Sequence, residues 1–248
     1  DMDATKLAEI DNIVEEAIRQ RATPGAQVLV ARHGKVIYNK VFGTQDYSPD
    51  KPVGFEDLYD IASITKIAVS VPLLMKLVEE GKINLDKTLG EYLPIAKGTN
   101  KEDLVLREIL AHKAGLIPWI PFYTRTIENG KYKEGYYSTK RNFNFPKVVS
   151  EGLYSSRFMR DTVIKAVLDS ELRETRDYTY SDLGYYLFME LIEKVEGRPL
   201  DELIHEYLYA PMGASSLTYE PSKIFPPEQI VPTEEDKVFR KATVHGYV

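Results

Sequence analysis

The chain has 248 residues, 43% of them apolar and 28% charged, with a formal net charge of -6 and a pI near 5.4. That length suffices for one large domain with a substantial core, the composition excludes wholesale disorder, and the acidic balance excludes a general nucleic-acid binder, which needs a broad basic face. The absence of cysteine excludes disulfides, thiol catalysis and cysteine-ligated zinc or iron–sulfur sites.

His33, His112, His205 and His245 are too scattered for a metal-ligand spacing, so neither a metal nor a cofactor is expected. No apolar run reaches the roughly 20 residues of a membrane span, and no charged-then-apolar leader opens the chain. The sequence therefore reads as a soluble chain without an export signal. It holds no Gly-x-Ser-x-Gly elbow, Walker loop or dinucleotide-binding glycine turn, which removes support for the usual Ser-His-Asp route.

In chain order, Leu7, Ile10, Ile13, Val14, Ala17 and Ile18 recur at helical spacing behind Asp3, a plausible N-cap, up to Thr23-Pro24-Gly25. Gln27 to Ala31 and Val36 to Phe42 read as strands of a hairpin turning at His33-Gly34-Lys35. A helix is predicted from near Ser63 to Glu80, closed by Gly81 and kinked after Ser70 by Pro72. Asn84-Leu85-Asp86 and Glu91-Tyr92-Leu93-Pro94 read as turns, and Leu106 to Leu116 as a short helix ended by glycine. His112, at the end of that helix, is expected to make a structural hydrogen bond rather than act as a base.

Between Trp119 and Arg160 lie ten aromatic side chains and eight Lys or Arg against three Glu. With little periodicity, this stretch reads as a long structured loop or small subdomain. It could wall a cleft and attract anionic substrates, or be a surface insertion without a substrate role. Helical spacing returns at Thr162 to Leu168 behind Asp161, again from Leu183 to Gly197, and from Pro199 to the stop at Pro211-Met212-Gly213. The last thirty or so residues, rich in proline and charge, read as an extended surface segment.

The stretch with most chemical content is Ser63-Ile64-Thr65-Lys66. On a helix these ends share a face, so a hydroxyl and an amine can touch. A serine needs such a proton acceptor, and a lysine serves only if desolvation or a nearby positive charge pulls its pKa below about 10.4. Ile61, Ile64, Ile67 and Val69 offer apolar surroundings of that kind. A solvated first turn is the plain alternative.

Six segments stand in a fixed order: Pro24-Gly25-Ala26, Ser63 to Lys66, Gly81 to Pro94 with Leu85-Asp86, Ile109 to Leu116, Tyr180-Ser181-Asp182-Leu183-Gly184, and Pro211-Met212-Gly213. Together they resemble the serine β-lactamase and penicillin-binding-protein superfamily, closest to its class C-like branch of β-lactamases, D-alanyl-D-alanine carboxypeptidases, esterases and D-amino-acid amidases. The resemblance implies an α+β, β-lactamase/transpeptidase-like fold: an antiparallel sheet flanked by helices, with a mainly helical subdomain. It implies a single domain over 1–248, with 119–160 inserted and the C-terminal strands missing.

By the same resemblance Ser63 is the acylated nucleophile, Lys66 its proton acceptor, and Tyr180 the tyrosine of a Tyr-x-Asn motif that helps activate the deacylating water. Asp182 and Trp119 are the candidate substrate-binding residues. The implied activity is that of an extracytoplasmic serine hydrolase cleaving a β-lactam, a D-Ala peptide of peptidoglycan type or a small ester, without a cofactor. Two features depart from the family pattern. Asp182 replaces the motif's Asn, where a carboxylate favours protonated Lys66, and no Lys-Thr-Gly or His-x-Gly strand follows, since His245-Gly246 lacks the spacing. Aligning Ser181-Asp182 with the class A Ser-Asp-Asn motif fails at Leu183. These departures keep open a non-catalytic binding or sensor module attached to a larger protein.

Overall fold

Helix α1 (Ala4–Arg19) begins where the sequence places it: the Asp3 carboxylate accepts the N–H groups of Thr5 and Lys6, at 2.9 and 3.3 Å. The structure, a computed structural model, describes residues 3–247. The chain groups into two compact units: Asp1–Asp60 with Glu220–Val248, and Ile61–Tyr219.

In the first unit β1 (Gly25–Arg32) pairs antiparallel with β2 (Lys35–Gly43). His33 and Gly34 form the two-residue turn with φ of 49° and 73°, the left-handed pair that matches strand twist. Helix α1 lies on this hairpin, and its Asp11 receives the buried Tyr38 hydroxyl and the Lys40 ammonium of β2.

The second unit opens with Ser63 in a turn, followed by a π-helical turn, Lys66–Ser70, and helix α2 (Val71–Glu79). The predicted helix is therefore interrupted earlier than expected. Pro72 sits in the first turn of α2 and returns no N–H to Ala68; the Tyr209 hydroxyl donates to the Ala68 carbonyl instead, at 3.1 Å. Gly81, with φ of 69°, ends the segment as predicted. Glu91-Tyr92-Leu93-Pro94 is more regular than predicted, forming the end of α3 (Leu89–Tyr92) and a 3₁₀ turn, Pro94–Ala96.

Helix α4 (Leu106–Leu110) is half the predicted length, because His112 turns left-handed at φ 56°. The aromatic stretch folds as a 3₁₀ turn, Phe122–Thr126, and short strands β3 (Ile127–Glu128), β4 (Lys131–Tyr132), β5 (Tyr137–Ser138), β6 (Lys147–Ser150) and β7 (Leu153–Ser155). Its side chains stack among themselves: the Arg157 guanidinium lies 4.7 and 4.6 Å from the Phe143 and Phe158 rings. Helix α5 (Met159–Leu168) starts before Asp161, which stands in its first turn rather than at its cap.

Helix α6 (Leu183–Glu196) is the axis of the core, burying Leu183, Leu187, Phe188, Leu191 and Ile192 against Val69, Leu73, Ile109, Val167 and Leu203. A Cβ on its Gly184 would stand 2.5 Å from the Ile109 side chain, so only glycine lets α6 seat this closely on α4. Helix α7 (Leu200–Ile204) passes into a second π-helical turn, His205–Tyr209, and α8 (Ala210–Met212) before Gly213 stops it. Here Pro211 is absorbed into the helix and the glycine alone ends it.

The chain then returns to the first unit. The proline-rich end is more ordered than an extended segment: β8 (Glu234–Asp236) pairs with β9 (Ala242–Val244), and Ile230, Val231 and Val244 are buried. Every sheet among the described residues is antiparallel, giving the α+β class.

Candidate active site

Ser63 and Lys66 stand one helical turn apart, and the Lys66 Nζ donates to the Ser63 Oγ at 2.8 Å. Ala62, just before the serine, has φ of 42°; a residue with a Cβ held there costs on the order of 1–3 kcal/mol, a strain common next to reacting groups. Ser63 is exposed while Lys66 is half-buried.

Asp182 comes to the same ammonium from the foot of α6, with its Oδ1 accepting from Lys66 Nζ at 2.7 Å. Its place follows from a set of local bonds. The Ser181 hydroxyl donates to the Ile117 carbonyl at 2.6 Å and accepts the Leu183 N–H at 3.2 Å, while the Asp182 N–H reaches the Pro118 carbonyl at 2.9 Å. Segment 117–118 thus docks segment 181–182 at the start of the buried helix.

Tyr180 completes the group, its ring centroid 5.1 Å from Lys66 Nζ, and Tyr185 adds a second ring at 5.6 Å. The structure therefore brings together Ser63, Lys66, Tyr180 and Asp182. Among the described residues Trp119 shares no hydrogen bond or ion pair with these four; it stands 60% exposed, one residue beyond the Pro118 carbonyl that holds Asp182.

The electrostatics follow the expectation attached to Asp182 rather than the one attached to the apolar neighbours of Lys66. Desolvation is the largest influence on Lys66 and pushes its pKa down, but the hydrogen bond that Asp182 accepts, joined by Tyr180, outweighs it and leaves the ammonium above its ordinary value. Of the apolar neighbours expected to desolvate it, Ile64 and Ile67 are 58% and 66% exposed, Ile61 is half-buried and Val69 is buried, while the Tyr180 and Tyr185 rings lie beside the ammonium. Burial likewise raises Tyr185.

Two neighbours escaped the sequence reading as site residues. Tyr185 follows Asp182 by three positions, so helical spacing at the start of α6 was the available signal. His112 accepts the Ser181 N–H at its Nδ1, 3.1 Å away, which bears out a structural hydrogen bond but from a partner far along the chain. Among the described residues no cluster of His, Asp or Glu could hold a metal, and no helix is long and apolar enough to cross a membrane.

Fold and site together define a serine–lysine centre on an α+β scaffold. The Beta-lactamase family model matches residues 10–246, and the chain belongs to that family. It is 29% identical over 245 residues to an N-acetylmuramyl-L-alanine amidase of Bacillus subtilis (strain 168), a match covering 92% of this chain and 50% of that protein. It is 34% identical over 126 residues to Esterase EstB of Burkholderia gladioli, covering 48% of this chain and 31% of that one. The octameric penicillin-binding protein homologue from Pyrococcus abyssi has the same fold, with a TM-score of 0.69 at 21% identity over 97% of this chain and 50% of that chain. The chain spans about half the length of the curated relatives it matches over most of its own.

Proposed function

We propose that the chain carries the nucleophile of a serine hydrolase acting through an acyl-enzyme on Ser63. The observation that carries this reading is the 2.8 Å hydrogen bond between Lys66 Nζ and Ser63 Oγ, with Tyr180 over the same ammonium. In acylation the Ser63 oxygen forms a bond to the substrate carbonyl carbon while its proton passes to the free amine of Lys66 and then to the leaving amine or alcohol. The Ser63 N–H, at the start of a helical turn, is suited to donate to the developing oxyanion. Tyr180 then helps water cleave the acyl ester.

The substrate is an amide or ester: a β-lactam, a D-Ala peptide of peptidoglycan type or a small ester. The relatives' names as an amidase, an esterase and a penicillin-binding homologue support that class. Trp119 and Asp182 are proposed as substrate contacts, Trp119 through its exposed ring and Asp182 through a side chain that remains 39% exposed. The basic stretch 119–160 would attract a substrate carboxylate. A peptidoglycan-type substrate places the protein outside the cytoplasm, and the net charge of -6 argues against nucleic acid as a partner.

A second reading, a non-catalytic binding or sensor module, draws on the Asp182–Lys66 ion pair, which withholds the free amine that Ser63 needs. Intact mass after incubation with a penicillin or an activated ester separates the two, on this chain and on one extended past Val248. A covalent adduct absent from Ser63→Ala supports the hydrolase. No adduct on the extended chain, or an equal adduct on Ser63→Ala, overturns it.

A further inference from the structure

One residue holds Tyr180 from three directions. The His112 carbonyl accepts the N–H of Thr179 at 2.9 Å, its Nδ1 accepts the N–H of Ser181 at 3.1 Å, and its ring lies 4.5 Å from the Tyr180 ring at 36°. Residues on both sides of the tyrosine, and the tyrosine itself, are thereby tied to one histidine, Ser181 and Tyr180 through its imidazole and Thr179 through its backbone carbonyl. Because Nδ1 accepts, the neutral ring carries its proton on Nε2. His112 is itself fixed: its left-handed backbone is held by its N–H to Ile109 and by the Lys113 N–H to Glu108, at 3.1 and 2.8 Å. Ser181 is 2% exposed with its hydroxyl in two bonds, so displacing it moves Asp182 as well as Tyr180.

We propose that neutral His112 is a positioning residue, holding Tyr180 and, through Ser181, Asp182 against Lys66, and that protonating the imidazole loosens both. A proton on Nδ1 would set one donor against another at the Ser181 N–H and add a second cation beside Lys66. The titratable groups facing the ring are Lys66 from the π-helical turn, Asp182 and Tyr180 from the segment before α6, Tyr185 from α6, and Tyr178 edge-on at 6.0 Å. Burial, then the Lys66 charge, keep the imidazole pKa below its ordinary 6.5 despite Asp182, so the ring is neutral at physiological pH. The catalytic consequence rests on the acyl-enzyme reading above; the clamp itself does not.

The test compares wild type with His112→Asn, which retains an acceptor near the Nδ1 position, and His112→Phe, which retains a ring but no acceptor. Formation and release of the adduct with p-nitrophenyl acetate are followed from pH 5 to 9, alongside the ¹⁵N spectrum of the His112 ring and the ring resonances of Tyr180. Wild type should show the Nε2–H tautomer at neutral pH, Tyr180 resonances that shift as His112 titrates, and an additional acid limb below pH 6.5, steeper than the roughly tenfold per pH unit that Lys66 imposes throughout. His112→Phe should lose roughly 10²-fold in rate, as a misplacement near 1 Å can cost. His112→Asn should keep most of the rate and lose the limb. An Nδ1–H tautomer, Tyr180 resonances indifferent to the titration, or wild-type rates with an intact limb in His112→Phe would overturn the proposal. If wild type forms no Ser63 adduct, the acyl-enzyme reading fails, and the tautomer and Tyr180 shifts still decide the clamp. They also decide it if His112→Phe does not fold.

Discussion

The Lys66 ammonium donates to the Asp182 carboxylate at 2.7 Å, as close as it stands to Ser63, the serine it is proposed to activate. A group that should accept a proton is thus stabilised in its protonated form. Its folded pKa lies above the ordinary 10.5, so the pair contributes stability that is fully present below pH 10.5 and lost as pH rises through the folded value. On the proposed acyl-enzyme reading, catalysis then draws on the small free-amine population, which grows about tenfold per pH unit below that pKa.

Asp182→Asn should therefore move the acid side of the adduct-formation profile to lower pH and raise the rate near neutrality. Removing the carboxylate removes the strongest influence holding Lys66 protonated, and burial is then opposed by Tyr180 alone. Stopped-flow rates of adduct formation from pH 6 to 10 check this; an unmoved profile would show that Asp182 does not govern the base.

Tyr180→Phe should slow release of a preformed adduct more than its formation. The ring stays over Lys66 while the phenol proposed to help activate water is gone. Single-turnover mass spectrometry separates the two steps, and equal effects on both would refute a role in deacylation.

Tyr209→Phe should destabilise the fold by about 1–3 kcal/mol, because the Ala68 carbonyl that Pro72 leaves unserved loses its donor while the buried ring keeps its packing. Ala68 lies in the π-helical turn that begins at Lys66, so adduct formation should also slow. Urea unfolding beside adduct kinetics measures both; a variant as stable as wild type would mean that the carbonyl finds another donor.

Lys101 is fully buried, with its ammonium donating to the Asn100 side chain and the Ser170 carbonyl, and desolvation lowers its pKa to about 8 despite Glu171 and Asp169. The unfolded chain binds this proton up to about pH 10.5, so between about pH 8 and 10.5 stability should rise with pH, by at most about 3 kcal/mol. Lys101→Met removes the group, so the difference in unfolding free energy between the two proteins should track pH across that window. A constant difference would show that the amine titrates normally.

Local chemistry was legible along the chain. Asp3 caps α1, His33-Gly34 turns the hairpin, Gly81, Gly197 and Gly213 end helices, and Ser63 with Lys66 share a face, because each depends on neighbours within a few residues. The family order of motifs extended that reach to Tyr180 and Asp182.

What escaped were relationships across long sequence separations. The Ala68 carbonyl is satisfied by Tyr209 and the Ser181 N–H by His112, and neither spacing carries a pattern. Helix α4 stops early because His112 turns away towards that partner, a tertiary bond overriding helical spacing. Lys66 shows both sides: Ile64 and Ile67 suggested desolvation yet face solvent, whereas the expectation that a carboxylate at Asp182 favours the protonated amine holds, with folding supplying the 2.7 Å contact across more than a hundred residues. Residue type and short spacing dictate which groups can react; the charge they carry depends on burial and on partners that folding alone brings within 3 Å.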